Sequence, residues 1–299
     1  MKSLLTILFI GHIICTTSSC KKDDNTQVPV ETNYVKTTLQ YKSIIGINAN
    51  LLSLDIYNYS QSATPKPVVI YVHGGGWRQG DKSQQLDNKL RLFNSLNYIF
   101  ISINYRLSPS PFDILNPARI KYPDHNNDVA DAVKWIYDNI GSYGGNSQKI
   151  ALLGHSAGAH LVSLTGTSQE FLPAKGMTLN TLKGIASIDT EGYDVPSQSG
   201  EDLYKNAFGT DNTIHMQASP VFNLVSSVSY PKFFVAKRGE AIRINIANAF
   251  INKLQSVGVM VSEVTGSMYD HEGINDAIGN PKDTVITPAL VAFFGQCFQ

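Results

Sequence analysis

The chain has 299 residues with 24 basic and 24 acidic side chains, so it carries no net charge at neutral pH. That balance makes no field able to recruit nucleic acid or an anionic lipid surface. With 42% apolar and 16% charged residues it is too apolar for a disordered chain, and three cysteines are too few for a disulfide-stapled scaffold.

Met1 and Lys2 precede a mostly apolar run from Leu4 to Cys15. The run is too short to cross a hydrocarbon core of about 30 Å as a helix, so a secretory signal is expected. Thr17-Ser18-Ser19-Cys20-Lys21-Lys22 puts small residues before a cysteine and charge behind it. This resembles the lipobox of bacterial lipoproteins, although Thr17 stands where leucine is usual. The expectation is a signal peptide over 1–19, lipidation of Cys20 and a polar tether over 20–33. Such a protein is exported to the cell envelope and held by its lipid alone, at the periplasmic or surface face of the outer membrane. Cys297 is then left without a disulfide partner.

Residues 35–59 alternate apolar and polar, which predicts an antiparallel hairpin with one wet face. Continuously apolar runs at 68–72, 98–103, 149–153, 184–188, 232–236 and 259–264 predict strands buried on both faces. Between them, Val129, Ala132, Val133, Ile136 and Ile140 mark a helix over 128–140, and Ala247, Phe250, Ile251 and Leu254 another over 243–254. Asp128 and Asp131 fall at the start of the first, where the helix end favours negative charge. Strands alternating with helices mean an α/β protein with a mostly parallel, doubly wound sheet. Residues 190–225, rich in Ser, Asp, Gly and Asn, read as a cap inserted into one domain spanning 34–299.

Two segments carry chemistry. Gly154-His155-Ser156-Ala157-Gly158 lies between a buried strand and a helical stretch from Ala159. A sharp strand-to-helix turn of this kind lifts a serine hydroxyl above the sheet. The spacing alone is weak, arising by chance in roughly one of six sequences of this composition. His73-Gly74-Gly75-Gly76-Trp77 is sharper, at about three per thousand. It lacks the Lys-Ser/Thr of a phosphate loop and the GxGxxG spacing of a dinucleotide site, whereas consecutive glycines suit an oxyanion hole. No CxxC or His/Cys cluster suggests a metal, and no organic cofactor is required.

HGGGW, Asn104-Tyr105-Arg106-Leu107-Ser108-Pro109, the 123–136 stretch PDHNNDVADAVKWI and GHSAG together resemble the α/β-hydrolase fold. Within it they resemble the hormone-sensitive-lipase and feruloyl/acetylxylan-esterase-like carboxylesterases, over roughly 35–298. The resemblance implies that Ser156 is the nucleophile and that the N–H groups of Gly74, Gly75 and Ala157 form the oxyanion hole. It implies a histidine after the last strand, where His271 stands, and an acid after the strand at 232–236.

That loop, Lys237-Arg238-Gly239-Glu240, holds no aspartate. Glu240 is the expected acid, with Asp189 at the end of the preceding strand as the alternative. Of the other histidines, His73 is expected to shape the glycine loop and His160 to be packed. His155 is expected to point away from the nucleophile, and His125 and His215 to lie at the surface. Trp77, Tyr105 and Tyr193 are pocket or packing residues.

The expected function is a serine hydrolase cleaving carboxylic esters through an acyl-enzyme, acting on a small-molecule ester or on acetyl or feruloyl groups of polysaccharides. An amidase, formamidase or peptidase on the same triad is the alternative, and a non-catalytic binding module a more distant one.

Overall fold

A computed structural model describes residues 34–299 except 60, 61 and 63. The predicted signal, the tether and Cys20 lie outside the described residues. The hairpin pattern becomes β1 (Val35–Gln40) paired antiparallel with β2 (Ser53–Asn58). The apolar runs become β3 (Lys66–Val72), β4 (Ile99–Ile103), β5 (Gly145–His155), β6 (Leu182–Ile188), β7 (Lys232–Lys237) and β8 (Val261–Thr265). One eight-stranded sheet results, in the order β1-β2-β4-β3-β5-β6-β7-β8, antiparallel at β1 and β2 and parallel beyond.

The helices are α1 (Asp87–Ser95), α2 (Asp124–Asn139), α3 (Ala157–Thr167), α4 (Asp202–Phe208), α5 (Asn212–Gln217), α6 (Ala241–Ser256), α7 (Gly273–Asp276) and α8 (Ile286–Cys297). The period of two in β3 divides its side chains between two cores. Val68, Ile70 and Val72 join Val133 of α2, Leu161 of α3 and Phe250 of α6. Val69 and Tyr71 join Phe93 of α1 and Phe294 of α8 on the other face. Neither α1 nor α8 stood out in the sequence. No helix among the described residues is long and apolar enough to cross a membrane.

Helix α2 begins at Asp124, one turn before the predicted start, and this changes the role of Asp128. Its carboxylate is fully buried and accepts two bonds from the Arg106 guanidinium, Nε to Oδ2 at 2.7 Å and Nη2 to Oδ1 at 2.9 Å. It also accepts the Arg106 backbone N–H at 3.0 Å. Asp128 therefore ties the segment after β4 to α2, and Asp131 pairs with Lys42 and Lys175. The cap holds α4, α5 and short 3-10 turns at Pro196–Gln198 and Pro220–Asn223.

Candidate active site

Parallel strands deliver their C-terminal ends to one edge of the sheet, where side chains from separate strands converge. Ser156 follows the last residue of β5 with φ 55° and ψ −120°, a backbone that non-glycine residues rarely adopt. The turn is held because its N–H donates to the Ile188 carbonyl at 2.9 Å and its own carbonyl accepts from His160 N–H at 3.1 Å. The spacing of the motif has a steric cause: a Cβ on Gly158 would sit 2.1 Å from the Val72 carbonyl oxygen. Only glycine lets α3 start this close to β3.

The Ser156–Ile188 bond extends the β5–β6 ladder, in which His155 is opposite Ile188. The next residue, Asp189, is thereby carried to the neighbourhood of Ser156. Its φ of 53° is one that aspartate tolerates better than most, and its N–H donates to Ala236 at 2.8 Å. His271 arrives on the loop after β8. Its Nε2 lies 2.8 Å from Ser156 Oγ and its Nδ1 lies 2.6 Å from Asp189 Oδ2. Asp189 acceptance fixes the proton on Nδ1 and leaves Nε2 free to accept the serine hydroxyl.

The structure thus corrects the expectation for Glu240. That residue is exposed at the N-cap of α6, pointing its backbone carbonyl into the helix and making no side-chain bond there. The place after β7 is occupied instead by Arg238, whose Nε donates to Asp189 Oδ2. Arg243, in the first turn of α6, donates through Nη2 to Asp189 Oδ1 at 2.8 Å and through Nη1 to Glu191. Burial would push the Asp189 carboxyl up. The hydrogen bonds from His271 and Arg243 and the charge of Arg243 outweigh it and hold the carboxyl down at about 2.

Ser156, Ala157, Asp189 and His271 share a 220 Å³ pocket with Gly76 and Trp77 on one side and Leu203, Tyr204 and Arg243 on another. Ala157 is the first residue of α3, so its N–H has no partner within the helix and lies at the positive end of the dipole. Of the triglycine bend it is Gly76 that lines this pocket. Gly74 packs beneath, where an added Cβ would lie 3.1 Å from Ser156 Cβ, and Gly75 turns with φ 105°. Gly74 and Gly75 border a second cavity of 610 Å³, with Gln79, Gln84, Gln85 and Glu272, which is not lined by Ser156, Asp189 or His271. Of the predicted donor set, Ala157 borders the pocket of Ser156, and Gly74 and Gly75 border the second cavity.

The remaining histidines are structural. His155 does not simply point away: its Nε2 donates to the His271 carbonyl at 2.8 Å and so anchors the histidine loop. Burial, then the charge of His271, pushes its imidazole down to about 4, so it serves as a neutral donor. His73 bonds Gly74 O through Nδ1 at 2.8 Å and stacks on Tyr105, as expected of a loop-shaping residue. His160 is buried between Trp77 Nε1 at 3.2 Å and the Ala218 carbonyl at 2.8 Å. His125 and His215, expected at the surface, are buried: His125 bonds Ser108 Oγ at 3.0 Å and His215 the Gly209 carbonyl at 2.9 Å. Of the three aromatics, Trp77 lines the pocket, while Tyr105 and Tyr193 pack in the core, Tyr193 against Phe250.

Ligand atoms of His155, Asp189 and His271 lie within 4.8 Å of one another, near enough to share a metal ion. All three are engaged in the hydrogen bonds just described, which suit proton transfer. Sequence reasoning did not single out Arg243, Leu203 or Tyr204. They sit in a helix and a cap whose approach to Ser156 is set by tertiary packing.

Residues 54–188, from β2 to the end of β6, match the family model described as BD-FAE. The chain is 30% identical over 208 residues to the probable carboxylic ester hydrolase LipM of Mycobacterium tuberculosis, covering 64% of this chain and 45% of that protein. It thus spans about half the length of that curated relative. Esterase B of Lactobacillus rhamnosis superposes with a TM-score of 0.69 at 18% identity, over 89% of this chain and 86% of that one. A truncated carbohydrate esterase from gut microbiota superposes at 0.68 and 15% identity, over 91% and 99%. The chain has the α/β-hydrolase fold.

Proposed function

We propose that this protein hydrolyses carboxylic esters through an acyl-enzyme, with Ser156 as nucleophile, His271 as general base and acid, and Asp189 as the carboxylate that orients the imidazole. The observation that carries the reading is the chain of contacts from Ser156 Oγ to His271 Nε2 at 2.8 Å and from His271 Nδ1 to Asp189 at 2.6 Å. The ester-hydrolase relative and the BD-FAE match support the same reading.

Ser156 Oγ attacks the ester carbonyl while His271 Nε2 takes its proton. The oxyanion is met by the Ala157 N–H and by the triglycine bend, of which Gly76 lines the pocket. The imidazolium protonates the leaving alcohol, and neutral His271 then activates water to release the acid. The 220 Å³ pocket under Leu203 and Tyr204 suits a short acyl group. The adjoining cavity, with three glutamines and Glu272, offers donors and acceptors to a hydroxyl-rich alcohol such as a sugar. An acetylated or feruloylated polysaccharide is the substrate class proposed, met at the cell envelope by a chain exported and lipidated at Cys20.

Pre-steady-state hydrolysis of a nitrophenyl acetate tests the reading. A burst of phenol is expected from the native chain and none from Ser156→Ala; a burst that survives that substitution refutes the assignment. A nitroanilide in parallel separates ester from amide preference, and acetylated xylan tests the polysaccharide.

A further inference from the structure

We propose that Arg238 and Arg243 form a cationic clamp that sets the orientation of the Asp189 carboxylate, and are positioning residues for the reaction. The proposal rests on the reading of Ser156, His271 and Asp189 as a hydrolytic triad.

A triad acid must present one oxygen to the imidazole in a fixed direction. Asp189 stands at the strained end of β6 and is 3% exposed, so water cannot hold its carboxylate. Histidine alone would fix only one oxygen and leave the group free to rotate about its last torsion. The two guanidinium groups supply the missing constraints from different elements. Arg238 reaches back from the end of β7 to Oδ2, the oxygen that also accepts from His271. Arg243 approaches from α6 and takes Oδ1. With three donors on two oxygens the carboxylate has one orientation left.

Arg243 sits where a cation is least favoured, in the first turn of a helix whose N-terminal end is positive. It is kept there by Asp189 and Glu191 together. Room for it comes from Gly239, whose φ is 85° and where a Cβ would approach Arg243 Cδ to 3.2 Å. Arg243 borders the Ser156 pocket, and each of its Nη atoms donates to one of these carboxylates, which holds the guanidinium against the acid. The clamp also balances charge. Arg238 and Arg243 offset Asp189 and Glu191, so no excess negative charge is buried beside the nucleophile before the imidazolium forms.

The test compares Arg238→Gln, Arg238→Lys, Arg243→Gln and Arg243→Lys with the native chain, using kcat and KM on a nitrophenyl acetate and thermal unfolding of the same samples. Each Gln variant is expected to lose about 10- to 100-fold in kcat with KM changed by less than about twofold. Each Lys variant, which keeps the charge and a donor, is expected to recover most of that loss. Should a Gln variant not fold, the Lys variant at that position carries the test: kcat lowered at least about twofold at native KM supports the clamp, since lysine lacks the planar fork, and native kcat overturns it. Native kcat in both folded Gln variants overturns the clamp, as does loss that tracks thermal stability equally in Gln and Lys variants. A native chain that hydrolyses no ester, or full activity in Ser156→Ala, instead refutes the triad reading on which the clamp rests.

Discussion

Asp189→Asn is the substitution that weighs the two candidate acids. The native carboxylate accepts from His271 and Arg238 at Oδ2 and from Arg243 at Oδ1. An asparagine has one oxygen for these three donors. If its oxygen faces His271, its NH₂ opposes Arg243; if its NH₂ faces His271, the imidazole must carry its proton on Nε2 and can no longer accept from Ser156. Either way catalysis suffers, by about 10³- to 10⁴-fold in kcat, or about 4 to 5.5 kcal/mol of barrier. Stability changes too. A carboxyl held at about 2 against an ordinary 3.8 stabilises the native chain by about 2 kcal/mol. Because the native value is the lower one, that contribution is present in full above about pH 4 and disappears as pH falls through about 2. Asp189→Asn should therefore unfold more readily at pH 6 and converge toward the native chain near pH 2. Glu240→Gln, in an exposed cap residue, should leave kcat and stability unchanged. Steady-state kinetics and urea titrations from pH 2 to 6 read all of this. A Glu240→Gln enzyme that is inactive beside an active Asp189→Asn enzyme would refute the reasoning.

Two further perturbations follow from the site. Leu203 of α4 closes the pocket over Gly76, its Cδ1 lying 2.9 Å from where a Cβ on that glycine would be. Leu203→Ala should raise kcat/KM for hexanoyl over acetyl esters about tenfold; an unchanged ratio places the acyl chain elsewhere. Lys89, buried on α1, donates to the carbonyls of Gln85 and Asn275 at 3.0 Å each. Lys89→Met takes this donor from both carbonyls, leaving Asn275 with its backbone donor from Ile278 alone, and should cost about 2 to 4 kcal/mol. Burial pushes this ammonium down to about 7 from an ordinary 10.5. Between those values the unfolded chain keeps a proton that the native chain sheds, so native stability rises with pH there. The methionine variant should lack that rise in urea titrations at pH 7 and 9, and its presence would assign the effect to another group.

The sheet, the serine turn and the histidine were legible because each depends on spacing within a short segment. The run at 149–153 and the glycines at 154 and 158 fix the turn locally, and six of the eight strands follow the apolar runs, the other two the alternation at 35–59, within a few residues. The acid was not legible to the same degree. Loops after β6 and β7 are neighbours in space, and nothing in either segment says which one reaches His271. What decides it is the β5–β6 register, a long-range pairing. Burial of His125 and His215 escaped for a related reason, since polar side chains give no sign of the neighbours that will cover them. Asp128 was read from helix position alone, and its real partner, Arg106, sits 22 residues upstream.

The serine and its acid belong to strands joined rung by rung, so their separation is as rigid as the sheet. His271 instead reaches in from beyond the edge strand β8, across β7. What steadies it is the stretch from Gln85 to Lys89, which grips Glu272 and Asn275, and the imidazole of His155. A ligand or neighbouring chain that tugged on this one tiller could idle the machinery while leaving its anvil untouched.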